Sequence, residues 1–179
     1  MKSFLLAVWE VLEVVIVAVA TVFVIRTFLI QPFLVSGASM DPTFSTGNYL
    51  IIDEVTYQFR EPKRGEVIVF RYPNNPSTYY IKRIVGLPGE KVVIQQGKVT
   101  ISNQEFPDGL ALPEDYLSPG RLTSGNLTKI LSDNEYFVLG DNRNYSYDSR
   151  SWGPLDKKYI IGIARLRLLP INKAQAFSY

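Results

Sequence analysis

Tyr79-Tyr80-Ile81-Lys82-Arg83-Ile84-Val85-Gly86-Leu87-Pro88-Gly89-Glu90-Lys91-Val92-Val93-Ile94-Gln95-Gln96-Gly97-Lys98-Val99-Thr100-Ile101 is the stretch that decides the fold class. Three runs rich in Val, Ile and Tyr, each of strand length, are separated by Leu-Pro-Gly and by Gln-Gln-Gly. β-Branched and aromatic residues pack well on a pleated surface, and Pro and Gly break the runs. Gln95-Gln96-Gly97 reads as a hairpin turn, with Gly supplying a positive φ. Further strand candidates lie outward at 49–53, 66–72, 136–139 and 160–168, beside 79–85, 91–94 and 98–101 here. No helical period of useful length occurs after residue 31. The reading is mainly β: a partly open barrel or two packed antiparallel sheets.

Upstream the pattern changes. Residues 4 to 35 are apolar with few interruptions, and 11–29 is long enough to cross a bilayer core of ~20 residues. Glu13 and Arg26 fall near its two ends, where charge costs least. A retained transmembrane anchor over 1–30 is expected, followed by a β-rich domain over 31–179. A removable leader or a buried amphipathic helix is the alternative, Lys2 and Ala18-Val19-Ala20 loosely fitting a leader. Only Lys2 precedes the span, so charge alone sets no orientation. Residues 103–134, dense in Pro, Gly, Ser and Asn, read as a long surface excursion.

Composition narrows the chemistry. The 179 residues carry a net charge of +2, which gives no argument for a nucleic-acid partner. There is no Cys and no His. Disulfides, Cys- or His-ligated metals and any Ser-His-Asp triad are therefore excluded. No cofactor is expected. A hydrolase built from this chain must take its base from Lys, Asp, Glu or Tyr.

Three stretches could hold such chemistry. Ser36-Gly37-Ala38-Ser39-Met40-Asp41-Pro42-Thr43 places a hydroxyl among small residues that let a peptide carbonyl approach, although a plain Ser/Gly turn reads the same way. In 80–85, strand alternation puts Tyr80, Lys82 and Ile84 on one face and Ile81, Arg83 and Val85 on the other. One of two adjacent cations must then face the more apolar side, where a Lys loses solvation and its pKa falls. The bland alternative is an exposed Lys-Arg pair on an edge strand. Gly140-Asp141-Asn142-Arg143-Asn144-Tyr145-Ser146-Tyr147-Asp148-Ser149-Arg150 is either a set of Asx-type turns or a supporting shell, with Ser146 orienting a Lys amine and Asp148 paired to Arg150.

Taken in order, Gly37-Ala38-Ser39-Met40-x-Pro42-Thr43, Arg64-Gly65-Glu66-Val67-Ile68-Val69-Phe70, Lys82-Arg83-x-x-Gly86-x-Pro88-Gly89 and Gly140-Asp141-Asn142-Arg143-x-x-Ser146-x-Asp148-Ser149-Arg150 resemble the bacterial type I signal peptidases, from about residue 10 to residue 166. The resemblance implies an N-terminal transmembrane helix and a domain of antiparallel β-sheets like that of signal peptidases and LexA-type proteases. It implies a serine endopeptidase on the outer side of the plasma membrane that trims exported preproteins bearing small residues before the cut, in contact with lipid. By similarity Ser39 is the nucleophile and Lys82 the general base. Ser146 would hydrogen-bond the Lys amine, Asp148 and Arg150 would form a supporting salt bridge, and Asp141 would shape the polar turn. The oxyanion hole would form at Ser39 and Gly37: the Ser39 N–H would donate, and with Gly37 standing where many members carry a Ser hydroxyl the hole would rely on backbone N–H groups. Phe33, Val35, Tyr80 and Ile81 would wall the substrate pockets. A self-cleaving repressor would need a DNA-binding domain and an internal cleavage dipeptide, and residues 1–35 offer neither. A tethered binding module has no use for both Ser39 and Lys82.

Overall fold

The computed structural model describes the backbone of residues 2–28 and 30–179 and the side chains of 8–22 and 32–179. In chain order the elements are α1 (Lys2–Phe28), β1 (Ile30–Leu34), β2 (Tyr49–Asp53), α2 (Thr56–Phe59), β3 (Val67–Tyr72), β4 (Asn75–Gly86), β5 (Lys91–Gln95), β6 (Lys98–Ser102), β7 (Leu110–Ala111), β8 (Leu127–Ile130), β9 (Glu135–Leu139), α3 (Ser149–Trp152), β10 (Leu155–Asp156), β11 (Ile160–Leu169) and β12 (Gln175–Ala176). Among the described residues no helix is long and apolar enough to cross a membrane. The side chains of 23–29, which belong to the expected span, lie outside the described residues.

All pairings are antiparallel. Eight strands make one sheet in the order β1-β2-β11-β3-β4-β9-β10, with β12 added to β11, and four make a second, β7-β6-β5-β8. Two sheets, not a barrel, are therefore what the alternating strands build. The β5–β6 turn is a two-residue loop with both central residues at positive φ, Gln96 at 52° and Gly97 at 80°. That is the mirror-image turn whose twist matches the flanking strands.

β3 is buried on both faces because alternate residues enter different cores. Val67 and Val69 join Met40, Phe44, Leu50 and Ile52, whereas Ile68 and Phe70 join Ile84, Tyr136 and Val138. A third core, containing Val85, Val92, Ile94, Val99 and Phe137, holds the small sheet against the ends of β4 and β9.

Two expectations are corrected here. The strand read as 79–85 begins at Asn75, four residues early. Its register against β3 jumps from Arg71–Tyr79 to Tyr72–Asn75, leaving 76–78 outside the pairing. Pro76 has no N–H to give a ladder, so the chain stays extended there without bonding. Nor is 103–134 a simple excursion: it supplies β7 and β8 to the small sheet and buries Thr123 and Leu131. Its polar, Gly-rich composition hid strands of only two and four residues, none of whose side chains is fully buried.

Candidate active site

The 35–48 turn ends against the body of the domain through Val35 and Asn48, joined by Val35 N–H to Asn48 O at 2.9 Å. Met40 and Phe44 are fully buried beneath it, and Phe44 N–H closes a turn on Met40 O at 2.9 Å. Ser39 lies between the exposed Gly37-Ala38 and this apolar footing, half-buried. From the polar run after β9, Asn142 N–H donates to Ser39 O at 2.9 Å and Asn142 Nδ2 donates to Ala38 O at 3.0 Å. The backbone on both sides of the Ser39 amide is thus held, while the Ser39 N–H itself bonds to no group among the described residues.

β4 brings the amine. It is a central strand between β3 and β9, covered on both faces, so both cations are buried: Lys82 is 3% exposed and Arg83 6%. This replaces the expectation of one buried and one outward cation. Their solutions differ. Arg83 grips Asp141 through Nε–Oδ1 at 2.8 Å and Nη2–Oδ2 at 2.6 Å, and donates to Gly65 O at 2.7 Å. Lys82 has no carboxylate in contact; its Nζ donates to Ser39 Oγ at 2.7 Å and to Ile81 O at 2.9 Å. Burial pushes the Lys82 amine down to about 8, against the opposing pull of Asp148 and Asp141. An Arg cannot give up its proton, so the ion pair suits Arg83, whereas the Lys82 amine, left without a carboxylate in contact, gives its proton up more readily than an exposed Lys.

The polar run divides its work. Asp141 accepts from Arg83 and from the Thr43 hydroxyl at 2.6 Å, linking β4 to the Ser39 turn. Its part is larger than shaping a turn. Asp148 and Arg150 form a two-pronged pair, Nε–Oδ1 and Nη2–Oδ2 both 2.8 Å, and Asp148 also accepts from Gly140 N–H. Ser146 differs from expectation: among the described residues its Oγ is buried without a hydrogen-bond partner and does not reach the Lys82 amine. It packs against Gly140, where an added Cβ would lie 2.2 Å from Ser146 Oγ and 2.4 Å from Ser39 O. Gly37 also departs from its expected part. Its φ is +102° and its N–H donates to Thr46 Oγ1 at 3.0 Å, so it offers open space, not a free donor.

A cavity of about 340 Å³ opens beside Ser39 and Lys82, and Phe33, Val35, Tyr80 and Ile81 all line it. Val35 contributes little area, being 6% exposed. Tyr79, at the end of the 79–81 stretch expected to flank the peptide, lies on its wall too, whereas sequence reasoning missed Tyr145 and Tyr147 there. The signal was two exposed aromatics, Tyr145 and Tyr147, alternating with Asn144 and Ser146 in an otherwise polar run. It also missed Arg143, which is buried and bound to Gly140 O, Glu114, Thr123 and Tyr116. Those last three residues come from 103–134, so that segment braces the site.

A half-buried hydroxyl, a buried amine at hydrogen-bond distance and an adjoining groove make a serine hydrolase without histidine chemically sufficient. Comparison agrees. Residues 8–169 match the family described as signal peptidase, peptidase S26. The chain is similar to a probable signal peptidase I-2 of Synechocystis sp., 35% identical over 90% of this chain and 73% of that one. It is similar to a signal peptidase I of Leptolyngbya laminosa, 38% identical over 83% and 73%. A signal peptidase I of Bacillus licheniformis is 33% identical over 92% and 90%. The chain belongs to the signal peptidase family, peptidase S26, a family of serine endopeptidases.

Proposed function

We propose that this protein removes N-terminal signal peptides from exported preproteins, with Ser39 as nucleophile and Lys82 as general base. The observation that carries this reading is the 2.7 Å contact between Lys82 Nζ and Ser39 Oγ, made by an amine whose burial lowers its proton affinity to about 8. When Lys82 is neutral the contact reverses, and the Ser39 hydroxyl donates to it. Ser39 Oγ then bonds to the scissile carbonyl carbon as its proton passes to Lys82. The oxyanion forms next to the uncommitted Ser39 N–H, a donor that costs no reorganisation. Collapse breaks the C–N bond, and Lys82 returns the proton to the leaving amine. Water, deprotonated by Lys82, attacks the Ser39 ester and frees the enzyme.

The groove favours an extended chain with small apolar side chains at the cut, because Phe33, Ile81 and the tyrosines leave shallow space beside Ser39. Ser146 is assigned to orienting the Lys82 amine: its hydroxyl is buried without a partner among the described residues and packs at Gly140 beside Ser39 O. α1 is assigned as a single-pass membrane anchor, with the catalytic domain on the outer face and in contact with lipid. Its 27 residues rise ~40 Å at 1.5 Å each, more than a ~30 Å hydrocarbon core, and they lead directly into β1 of the groove.

The test is cleavage of a preprotein bearing an Ala-x-Ala site by detergent-solubilised protein, with Ser39→Ala and Lys82→Ala alongside and the product N-terminus sequenced. Cleavage after that site by wild type alone is the expected result. Retained cleavage by Ser39→Ala would falsify the dyad assignment.

A further inference from the structure

The family match ends at residue 169, yet residues 170–179 fold back onto the reactive turn. β12 pairs with β11, Leu166 opposite Ala176 and Arg167 opposite Gln175, and Phe177 N–H donates to Arg165 O at 2.8 Å. This docking puts the Phe177 ring 4.7 Å from that of Phe44, in the core that holds Met40 and Val35. Arg167 ties the two segments together. Its Nη1 donates to Thr43 O at 2.8 Å, its Nε to Lys173 O at 2.7 Å and its Nη2 to Gln175 Oε1 at 3.0 Å. The same guanidinium lies 5.9 Å from the Phe44 ring centre and 5.6 Å from that of Phe177, a distance at which a cation and a ring attract.

The Ser39 turn is therefore gripped at two points. On one side Asn142 and Asp141 hold Ser39 O and the Thr43 hydroxyl; on the other Arg167 holds Thr43 O and Phe177 backs Phe44. Without the second grip the turn would keep its link to the Lys82 side but lose the footing that sets its height above β4. A turn of this kind, rich in Gly, Ser, Asp and Pro and giving the core Met40 and Phe44 beyond its Val35 end, has little rigidity of its own.

We infer that the end of β11 and the segment after it form a latch for the reactive turn, in which Arg167 of β11 and Phe177 beyond it are positioning residues that hold Ser39 at attacking distance from Lys82 without touching substrate. The inference rests on Ser39 being the nucleophile. Small displacements of a nucleophile cost rate steeply, whereas binding along a groove walled largely by Phe33, Tyr79, Tyr80, Ile81 and Tyr147, outside the turn, changes less.

The test uses the full chain in detergent with a peptide spanning the cleavage site, comparing wild type, Phe177→Ala, Phe177→Leu, Arg167→Gln and Ser39→Ala well below their unfolding temperatures. Phe177→Ala and Arg167→Gln are expected to lower kcat about tenfold per folded enzyme, with KM within twofold of wild type and Phe177→Leu restoring most of the rate. Arg167→Gln leaves the apolar footing in place, so it tests the latch even where Phe177→Ala fails to fold. Wild-type kcat in Arg167→Gln, or a raised KM with unchanged kcat in either variant, would overturn the latch. Activity in Ser39→Ala would instead overturn the nucleophile reading, which separates the two failures.

Discussion

Arg83 and Asp141 face each other as a buried fork and carboxylate, two hydrogen bonds of 2.8 and 2.6 Å, one residue beyond Lys82 on one side and one residue before Asn142 on the other. The pair therefore couples the strand that carries the amine to the loop whose next amide holds Ser39 O. It bears on the distance between Ser39 and Lys82, which lie 43 positions apart in sequence.

Removing one member leaves an uncompensated charge in the core, so Asp141→Asn should destabilise the domain by about 3–5 kcal/mol. Activity should fall even in the folded fraction, since Thr43 and Arg83 lose a shared anchor. Thermal unfolding with activity per folded molecule checks both. A variant as stable as wild type would show that the pair is not structural.

Rate should depend on pH through Lys82. Its amine is held near 8 by burial, so kcat/KM should rise with a single acid limb centred near pH 8 and show no limb near 6.5, the chain having no His. Asp148 and Asp141 both favour the charged amine, so Asp148→Asn should move that limb to lower pH. A limb that stays in place on this change would assign the titration elsewhere.

Burying Lys82 carries a cost that a neutral isostere avoids. In the unfolded chain the amine titrates near 10.5 and in the fold near 8, so between those values the unfolded state holds more protons and stability climbs with pH. Below pH 8 the whole penalty is present. Lys82→Met should therefore stabilise the protein at pH 7 by about 1–3 kcal/mol, a gain that shrinks towards pH 10.5, while abolishing cleavage. Denaturant melts of both proteins at pH 7 and pH 10 measure this, and an equal difference at the two values would contradict it.

Two glycines should fail for different reasons, Gly140 for want of space and Gly37 for its backbone angle. Gly140→Ala drives a Cβ to 2.4 Å from Ser39 O and should eliminate activity with more than about 2 kcal/mol of destabilisation. At Gly37 an added Cβ meets nothing within 4 Å, and the cost is the positive φ, about 1 kcal/mol, with much of the activity kept. Side-by-side melts and rates decide, and equal rates in the two variants would deny Gly140 its packing role.

Much of the site is legible from residue types in order. A Ser among small residues, a Lys-Arg pair in a strand-like run and the Gly140-to-Arg150 stretch each read alone as ordinary turn or edge strand. Only their resemblance, taken together in order, to one protease family implies roles for their members. The turn at Gln96-Gly97 and the strands 49–53, 91–94 and 98–101 follow from local preference as well. Those features depend on neighbours a few residues away, which sequence displays directly.

Other features were settled only by the packing of distant segments. That Arg83 is buried beside Lys82 depends on β4 being central, which no residue of β4 announces. That Ser146 Oγ lacks a partner, that Gly37 N–H is taken by Thr46, and that Tyr116 and Glu114 brace Arg143 are contacts between parts of the chain with no local pattern in common. Alternation along a strand states which residues share a face. What covers that face, and hence whether a cation there is solvated, paired or neutral, is decided by the elements folded over it.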